Sequence, residues 1–117
     1  MRILISYEES HRVYGDALKR ALRGLHPDAE VAGCSLGSLG SRVRSFDPDL
    51  VVSSRPNTVD PGGMAAWYEL SPEPDEPSEA CLGGRRWQRP NPTLEDLLSL
   101  IEEVEALLLS ERDPRGC

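Results

Sequence analysis

The chain has 117 residues, a formal net charge of −7 and 38% apolar residues, which fits one domain with one hydrophobic core. Its acidity argues against a non-specific binder of nucleic acid or of membrane surfaces, because such proteins are usually basic. No apolar run approaches the length of a membrane span, and the N-terminus passes into charge too quickly for a signal peptide. We therefore expect a cytoplasmic protein that contacts no membrane.

The first half of the chain alternates strand and helix. RILIS at 2–6 is an apolar run that predicts a buried strand. Apolar residues at helical spacing over 10–25 predict an amphipathic helix with Ser10 as its N-cap. AEVAGCSL at 29–36 predicts a second strand. GSLGSRVRSF at 37–46 is glycine-rich but keeps helical spacing, which allows a short helix.

The middle of the chain changes character after a third strand. PDLVVSS at 48–54 predicts this strand, and PNTVDPGG at 56–63 predicts a loop. MAAWYELS at 64–71 is a fourth strand candidate with Glu69 at its centre. A charge is unusual there if the strand is covered on both faces.

The last third begins with PEPDEPSE at 72–79, an acidic, proline-rich stretch that cannot form a core. ACLGG at 80–84 predicts a weak fifth strand, followed by RRWQRPNP. The clearest element is a final helix over 93–111, for which Thr93 and Asp96 resemble a capping box and Asn91-Pro92 offers a rival start.

Alternating strands and helices predict a parallel sheet, because parallel neighbours need crossover connections. We expect one domain over 1–110 and a flexible tail over 111–117.

The three cysteines, Cys34, Cys81 and Cys117, are odd in number and lack the spacing of a metal site. In a cytoplasmic protein they are interpreted as reduced thiols. Cys117 stands at the end of the chain and is expected to be mobile. A dithiol site formed by Cys34 and Cys81 is the alternative.

The element order and several strings resemble the receiver domain of two-component response regulators. The strings are SYEES after the first strand, PDLVVSS at the third, and RPNPTLEDLL before and within the last helix. The resemblance covers 1–110. It implies an α/β, flavodoxin-like three-layer sandwich with a five-stranded parallel sheet. The span from Ser54 to Arg89 is short, so the third and fourth helices are expected to be shortened or missing.

The resemblance also places the residues of a degenerate phosphorylation pocket. The phosphoacceptor aspartate position falls on Ser54, or on Ser53 if the register slips by one. The switch lysine position falls on Arg89, and the hydroxyl switch could only be Ser71. A serine is a far weaker nucleophile than a carboxylate and would need a base, and neither histidine stands at a strand end. We therefore expect no catalytic residue and no phosphotransfer.

Charged residues in the same pocket suggest a substitute for a metal ion. The resemblance places Glu8 and Glu9 where two acids would hold Mg²⁺, although a strict count from Arg2 would place Tyr7 and Glu8 there. Arg55 and Arg89 bring positive charge. We hypothesise that Glu8 or Glu9 pairs with one of the arginines in place of the ion. The alternative is that these charges are solvated loop ends. No metal and no cofactor are expected.

Loss of two helices would leave apolar area on strands four and five. Met64, Trp67, Tyr68 and Trp87 lie near that region, and burying one aromatic side chain removes roughly 150–250 Å² from water. Either the long loops fold over this area or another chain covers it. We expect these residues to form an interface with a protein partner or a second copy.

The sequence thus predicts a non-phosphorylatable, receiver-like signalling or interaction module, not an enzyme, that acts by docking or dimerisation. The alternative is a protein that binds a phosphorylated or acidic small molecule, or a small enzyme, at the carboxyl ends of the strands. Arg55, Arg89 and the serines would then be the ligands. An inert relic is the third interpretation.

Overall fold

The computed structural model describes residues 1–53, 64–69, 78–89, 93–110 and 114–117. Within these ranges the chain forms six strands and three α-helices, and short 3₁₀ turns precede the first two helices. In chain order the elements are β1 (Arg2–Tyr7), α1 (Arg12–Leu25), β2 (Glu30–Ser35), α2 (Leu39–Phe46), β3 (Leu50–Ser53), β4 (Ala66–Glu69), β5 (Ser78–Leu82), β6 (Arg85–Arg89) and α3 (Leu94–Leu109).

The six strands form one mixed sheet in the order β2-β1-β3-β4-β5-β6. Strands β1 to β4 are parallel, whereas β5 and β6 are antiparallel to their neighbours. The prediction of a five-stranded parallel, flavodoxin-like sheet is therefore wrong. The physical reason is length, since 70–77 is shorter than the dozen or more residues that a parallel crossover needs. The expected third and fourth helices fall at 54–63 and 70–77, outside the described residues.

A β-hairpin accounts for the sixth strand. Gly83 and Gly84 form a two-residue turn with φ values of 58° and 91°, and the pair Leu82–Arg85 closes the ladder between β5 and β6. Two successive residues at positive φ are typical of the hairpin turns that match strand twist, and glycine adopts them without strain. The strand before this turn was expected from the sequence, and the strand after it was not.

The final helix begins as its sequence predicts. The Thr93 hydroxyl accepts the Asp96 backbone N–H at 3.1 Å, and the Asp96 carboxylate accepts the Thr93 backbone N–H at 3.1 Å, so the capping box is confirmed. The first helix differs from expectation. It begins at Arg12 after a 3₁₀ turn, without a side-chain cap. The Ser10 hydroxyl instead lies 3.5 Å from a carboxylate oxygen of Glu8.

Two apolar clusters cover the two faces of the sheet. Helices α1 and α3 cover one face, which we name the α1/α3 face, by burying Leu18, Leu22, Leu97, Leu100, Ile101 and Val104. The other face, named the α2 face, is covered by α2 and by the end of the chain. Its buried cluster consists of Leu4, Leu39, Val51, Met64, Trp67, Cys81 and Cys117. The result is a three-layer arrangement with unequal outer layers.

The aromatic residues expected at an interface lie mostly inside the molecule. Met64 and Trp67 are buried on the α2 face, and Tyr68 is buried on the α1/α3 face. Trp87 is half-buried and packs against the α1/α3 core. Met64, Trp67 and Tyr68 are thus covered within the chain itself, and an interface formed by these residues stays a prediction.

A disulfide joins Cys81 of β5 to Cys117. Both residues are buried on the α2 face, whereas Cys34 is a free thiol. The interpretation of all three cysteines as reduced thiols is therefore wrong, and so is the alternative Cys34–Cys81 pair, while the flexibility of 111–117 stays a prediction. None of the helices in the described ranges is long and apolar enough to cross a membrane.

Candidate functional site

A row of polar side chains crosses the sheet at the carboxyl ends of its parallel strands. The register pairs Cys34 of β2 with Ser6 of β1, Ser6 with Ser53 of β3, and Ser53 with Glu69 of β4. Paired residues point to the same face. The residues two positions earlier on β1, β3 and β4 belong to the α2-face cluster, so these four side chains lie on the α2 face. We name them the polar row.

Three members of the polar row are buried. Ser6 is 0%, Ser53 is 6% and Glu69 is 4% exposed. A buried carboxylate needs hydrogen-bond partners, and Glu69 accepts the backbone N–H of Glu79 at 3.1 Å. The Ser6 hydroxyl lies beside the Cys34 thiol but makes no hydrogen bond of standard geometry within the described ranges. The polar row is therefore buried inside the molecule, and the Glu69 carboxylate contacts β5.

Cys34 is the half-buried end of the polar row. Burial raises the pKa of the Cys34 thiol, and the Ser6 hydroxyl and the Arg42 guanidinium oppose part of this rise. The thiolate is the nucleophilic form of cysteine. A raised pKa therefore makes Cys34 a poor nucleophile at neutral pH, unlike the exposed cysteines in electropositive sites that carry out catalysis.

The structure describes some of the predicted pocket residues and not others. Ser53 lies in the polar row, at the position that the shifted register gave it. Ser54, Arg55 and Ser71 fall outside the described residues. Arg89 ends β6, opposite Ser78. Since β6 is three strand positions from β3, their backbones are roughly 14 Å apart. Arg89 thus shares an edge of the sheet with Ser53 without being its neighbour.

The acidic residues after β1 have local partners. Glu9 is exposed and forms an ion pair with Arg12 at 3.6 Å, not with the arginines that the hypothesis named. Glu8 is half-buried and accepts the Ser10 hydroxyl at 3.5 Å, and its pairing with Arg55 or Arg89 stays a prediction. Across the described ranges, no group of three or more histidine, cysteine, aspartate or glutamate residues is arranged to hold a metal ion.

A second feature, which the sequence did not predict, is a cleft of about 320 Å³ between α1 and the ends of β1 and β2. Its charged lining residues are Glu9, Arg12, Asp16 and Lys19, and Cys34 also borders it. Arg12 lies 3.6 Å from Glu9 and 4.0 Å from Asp16, distances that give weak pairs at exposed sites.

Glycine at position 15 sets the floor of this cleft. A Cβ atom at Gly15 would lie 2.9 Å from the Tyr7 ring, so only glycine lets α1 approach β1 this closely. The Tyr7 ring also packs edge-on against Tyr14, with centroids 5.5 Å apart. In the sequence these residues are recognisable only as parts of a helix face and a strand, so nothing there indicated a cleft.

Comparison with known proteins gives no match, since no family model, no curated protein and no solved structure matches the chain significantly.

Proposed function

We propose that the protein is a signalling or interaction module that takes up no phosphoryl group and acts through contact with another protein or with a second copy. The observation that carries this proposal is the polar row. In open α/β sheets, ligands bind at the carboxyl ends of the strands where the connections diverge to the two faces, here between β1 and β3. At that place the chain presents the hydroxyls of Ser6 and Ser53.

The chemistry of these side chains supports a non-catalytic role. Accepting a phosphoryl group requires an accessible nucleophile aligned with its donor. Ser53 is only 6% exposed, and the one carboxylate of the polar row, Glu69, accepts a backbone N–H from β5. Ser53 is a buried alcohol beside a carboxylate that already accepts a hydrogen bond, so it is a poor phosphoryl acceptor.

Intact-mass spectrometry after incubation with acetyl phosphate and Mg²⁺ tests the absence of phosphotransfer. We expect the natural chain to remain unmodified. Ser53→Ala serves as the matched control, because an adduct that persists in this variant lies elsewhere. Any phosphoryl adduct on the natural chain would refute the proposal, and its loss in Ser53→Ala would place it on Ser53.

An apolar groove supports action by contact. A groove of about 490 Å³ lies between the ends of α1 and α3, with Leu25 and Leu109 on its lining. These side chains are 56% and 88% exposed. Adjacent exposed apolar side chains around a groove are typical of contact surfaces. The His26 Nδ1 atom lies 3.4 Å from the Glu105 carboxylate within the same groove.

Light scattering over a range of protein concentrations tests this contact for a second copy. We expect Leu109→Glu to reduce self-association. Val13, on α1 outside the groove, is 84% exposed, so Val13→Glu adds the same charge at a comparably exposed site and should change nothing. A natural chain that stays monomeric at high concentration would exclude the homodimer and leave contact with a different protein.

The cleft beside α1 favours a second candidate function, the binding of a small phosphorylated or acidic ligand. Of the two cationic side chains that line this cleft, Arg12 is ion-paired, whereas Lys19 forms no ion pair with the described residues. Thermal-shift measurements with nucleotides and acyl phosphates test this candidate, since a ligand that binds the folded state raises its stability. A shift that Lys19→Gln abolishes and Arg20→Gln retains would favour ligand binding.

A further inference from the structure

Residues 114–117, named the 114–117 segment, form part of the cover of the α2 face. Cys117 is buried in the same cluster as Met64 and Trp67. Its backbone N–H donates to the Met64 carbonyl oxygen at 3.1 Å. Its sulfur accepts the backbone N–H of Gly84 at 3.2 Å. The segment thus occupies a specific seat beside β4 and the hairpin turn.

The seat is shaped for glycine at position 116. A Cβ atom there would lie 2.6 Å from the backbone carbon of Gly83 and 2.6 Å from the backbone nitrogen of Gly84. Such distances are too short for a real side chain, so the two backbones approach each other only because Gly116 has none. A close backbone fit of this kind shows that the segment and the turn are complementary in shape.

The disulfide is the covalent hold on the segment. Arg115 and Gly116 are exposed and Pro114 is half-buried. Ordering a residue costs conformational entropy that a single hydrogen bond offsets only in part. Cys81, by contrast, is held within the sheet, where it pairs with Trp67 of β4 and Arg86 of β6. Breaking the crosslink therefore frees the segment and leaves the strand in place.

We propose that the Cys81–Cys117 disulfide is a redox latch that keeps the 114–117 segment on the α2 face. A dithiol reductant opens it. One thiolate of the reductant attacks a sulfur of the disulfide, the bond between the two protein sulfurs breaks, and a mixed disulfide forms. The second thiol of the reductant then resolves the mixed disulfide. Two electrons pass to the protein, Cys81 and Cys117 become thiols, and the reductant becomes a disulfide.

Release uncovers an apolar surface formed by Met64, Trp67 and Cys81, the residues that share a cluster with Cys117. The inference rests on the proposed docking function only in its claim that this surface binds another chain. Release itself is measured on the purified chain without a partner, so the two ideas fail separately. A chain that opens on reduction but binds neither a partner nor a second copy would refute docking and retain the latch.

Hydrogen exchange followed by mass spectrometry compares the full chain before and after dithiothreitol treatment. We expect exchange over 64–69 and 114–117 to rise by roughly tenfold or more on reduction, because removal of a crosslink restores chain entropy. Exchange over β1 and α1 should stay slow. In a Trp87→Phe variant, the emission of Trp67 should shift to longer wavelength on reduction as its indole meets water.

Three variants serve as controls. Cys117→Ser should exchange like the reduced chain without reductant and should not respond to dithiothreitol. Cys34→Ser should respond as the natural chain does, because Cys34 is outside the disulfide. Gly116→Ala keeps both disulfide cysteines but spoils the seat, so its disulfide should be reduced faster. The matched substitution Gly37→Ala, at a glycine with open space around it, should not change the rate.

Two outcomes would overturn the latch. One is unchanged exchange over 64–69 in a chain shown by thiol counting to be fully reduced. The other is loss of protection throughout β1 and α1 on reduction, accompanied by loss of the far-ultraviolet circular dichroism signal. In that case the disulfide holds the whole fold and not one segment.

Discussion

The two faces of the sheet are covered by different means. On the α1/α3 face, helices of fourteen and sixteen residues bury a row of leucine, isoleucine and valine side chains. On the α2 face, the helix has eight residues, a length at which helices are marginal on their own. Among the described residues, further cover comes from the 114–117 segment. A disulfide-linked segment can therefore cover a sheet face for which the described residues supply no second helix.

The faces also differ in polarity. The polar row and the disulfide both lie on the α2 face, whereas the inward side of α1 and α3 is apolar. The α1/α3 face thus supplies most of the hydrophobic stabilisation, and the α2 face holds the groups that can change their bonding or redox state. Substitutions placed on each face test this division.

The largest expected effect comes from matched leucine truncations on the two faces. Leu97 of α3 is 0% exposed and Leu39 of α2 is 5% exposed. Leu97→Ala should lower the free energy of unfolding by about 3 kcal/mol, typical of a cavity in a packed core. Leu39→Ala should cost about 1–2 kcal/mol less, because the short helix can collapse onto the gap. Urea unfolding with the disulfide intact measures both, and equal losses would show that the two faces tolerate a cavity equally.

Alkaline pH should destabilise the chain through a tyrosine on the α1/α3 face. Burial raises the pKa of Tyr7 well above its ordinary value of 10.0, so the folded chain keeps the phenol neutral while the unfolded chain ionises it. Stability is therefore unaffected below about pH 10 and falls by up to about 1.4 kcal/mol per pH unit above it. Tyr7→Phe should remove this part of the loss.

Unfolding measured at about pH 9 and about pH 11 checks the Tyr7 prediction. Tyr14 provides the control, because burial also raises its pKa although its side chain is partly exposed. Tyr14→Phe should reduce the alkaline loss by less than Tyr7→Phe does. The same slope in the natural chain and in Tyr7→Phe would show that Tyr7 ionises freely in the folded state.

The smallest expected effect is a stabilisation of α2, the shorter helix on the α2 face. Gly40 lies in α2, and a Cβ atom added there would meet no other atom within 4 Å. Gly40→Ala should therefore stabilise the chain by about 0.5–1 kcal/mol through helix propensity. Gly15→Ala in α1 should do the reverse, since its methyl group would meet the Tyr7 ring at 2.9 Å. Thermal unfolding of the two variants is expected to give shifts of opposite sign.

Local patterns in the sequence predicted much of the fold. The strands β1 to β4, helix α1 and the capped helix α3 all carry apolar patterns, and α2 followed from its spacing despite Gly40 within it. The direction of β5 and the existence of β6 did not follow. The Gly83-Gly84 pair was a usable hairpin signal, but no element was predicted for the arginine-rich stretch that follows it. The resemblance to a parallel fold reinforced that error.

The candidate site was less accessible to sequence reasoning. Ser53 was placed at the end of β3, and Glu69 was recognised as an unusual charge without a role. The polar row depends on the register among four strands, which a single sequence does not specify. Any two of the three cysteines could pair by sequence alone. The cleft is lined partly by Gly15 and Gly33, and the absence of a side chain carries no pattern.

The disulfide spans 36 positions in sequence, and the stretch it encloses includes β6 and α3. Since α3 packs on one side of the sheet and Cys117 on the other, the loop that the disulfide closes contains elements from both sides of the sheet. A single proteolytic cut within it would leave the two pieces attached to each other. Nicked protein would therefore migrate as one species in denaturing electrophoresis without reductant and as two species with it.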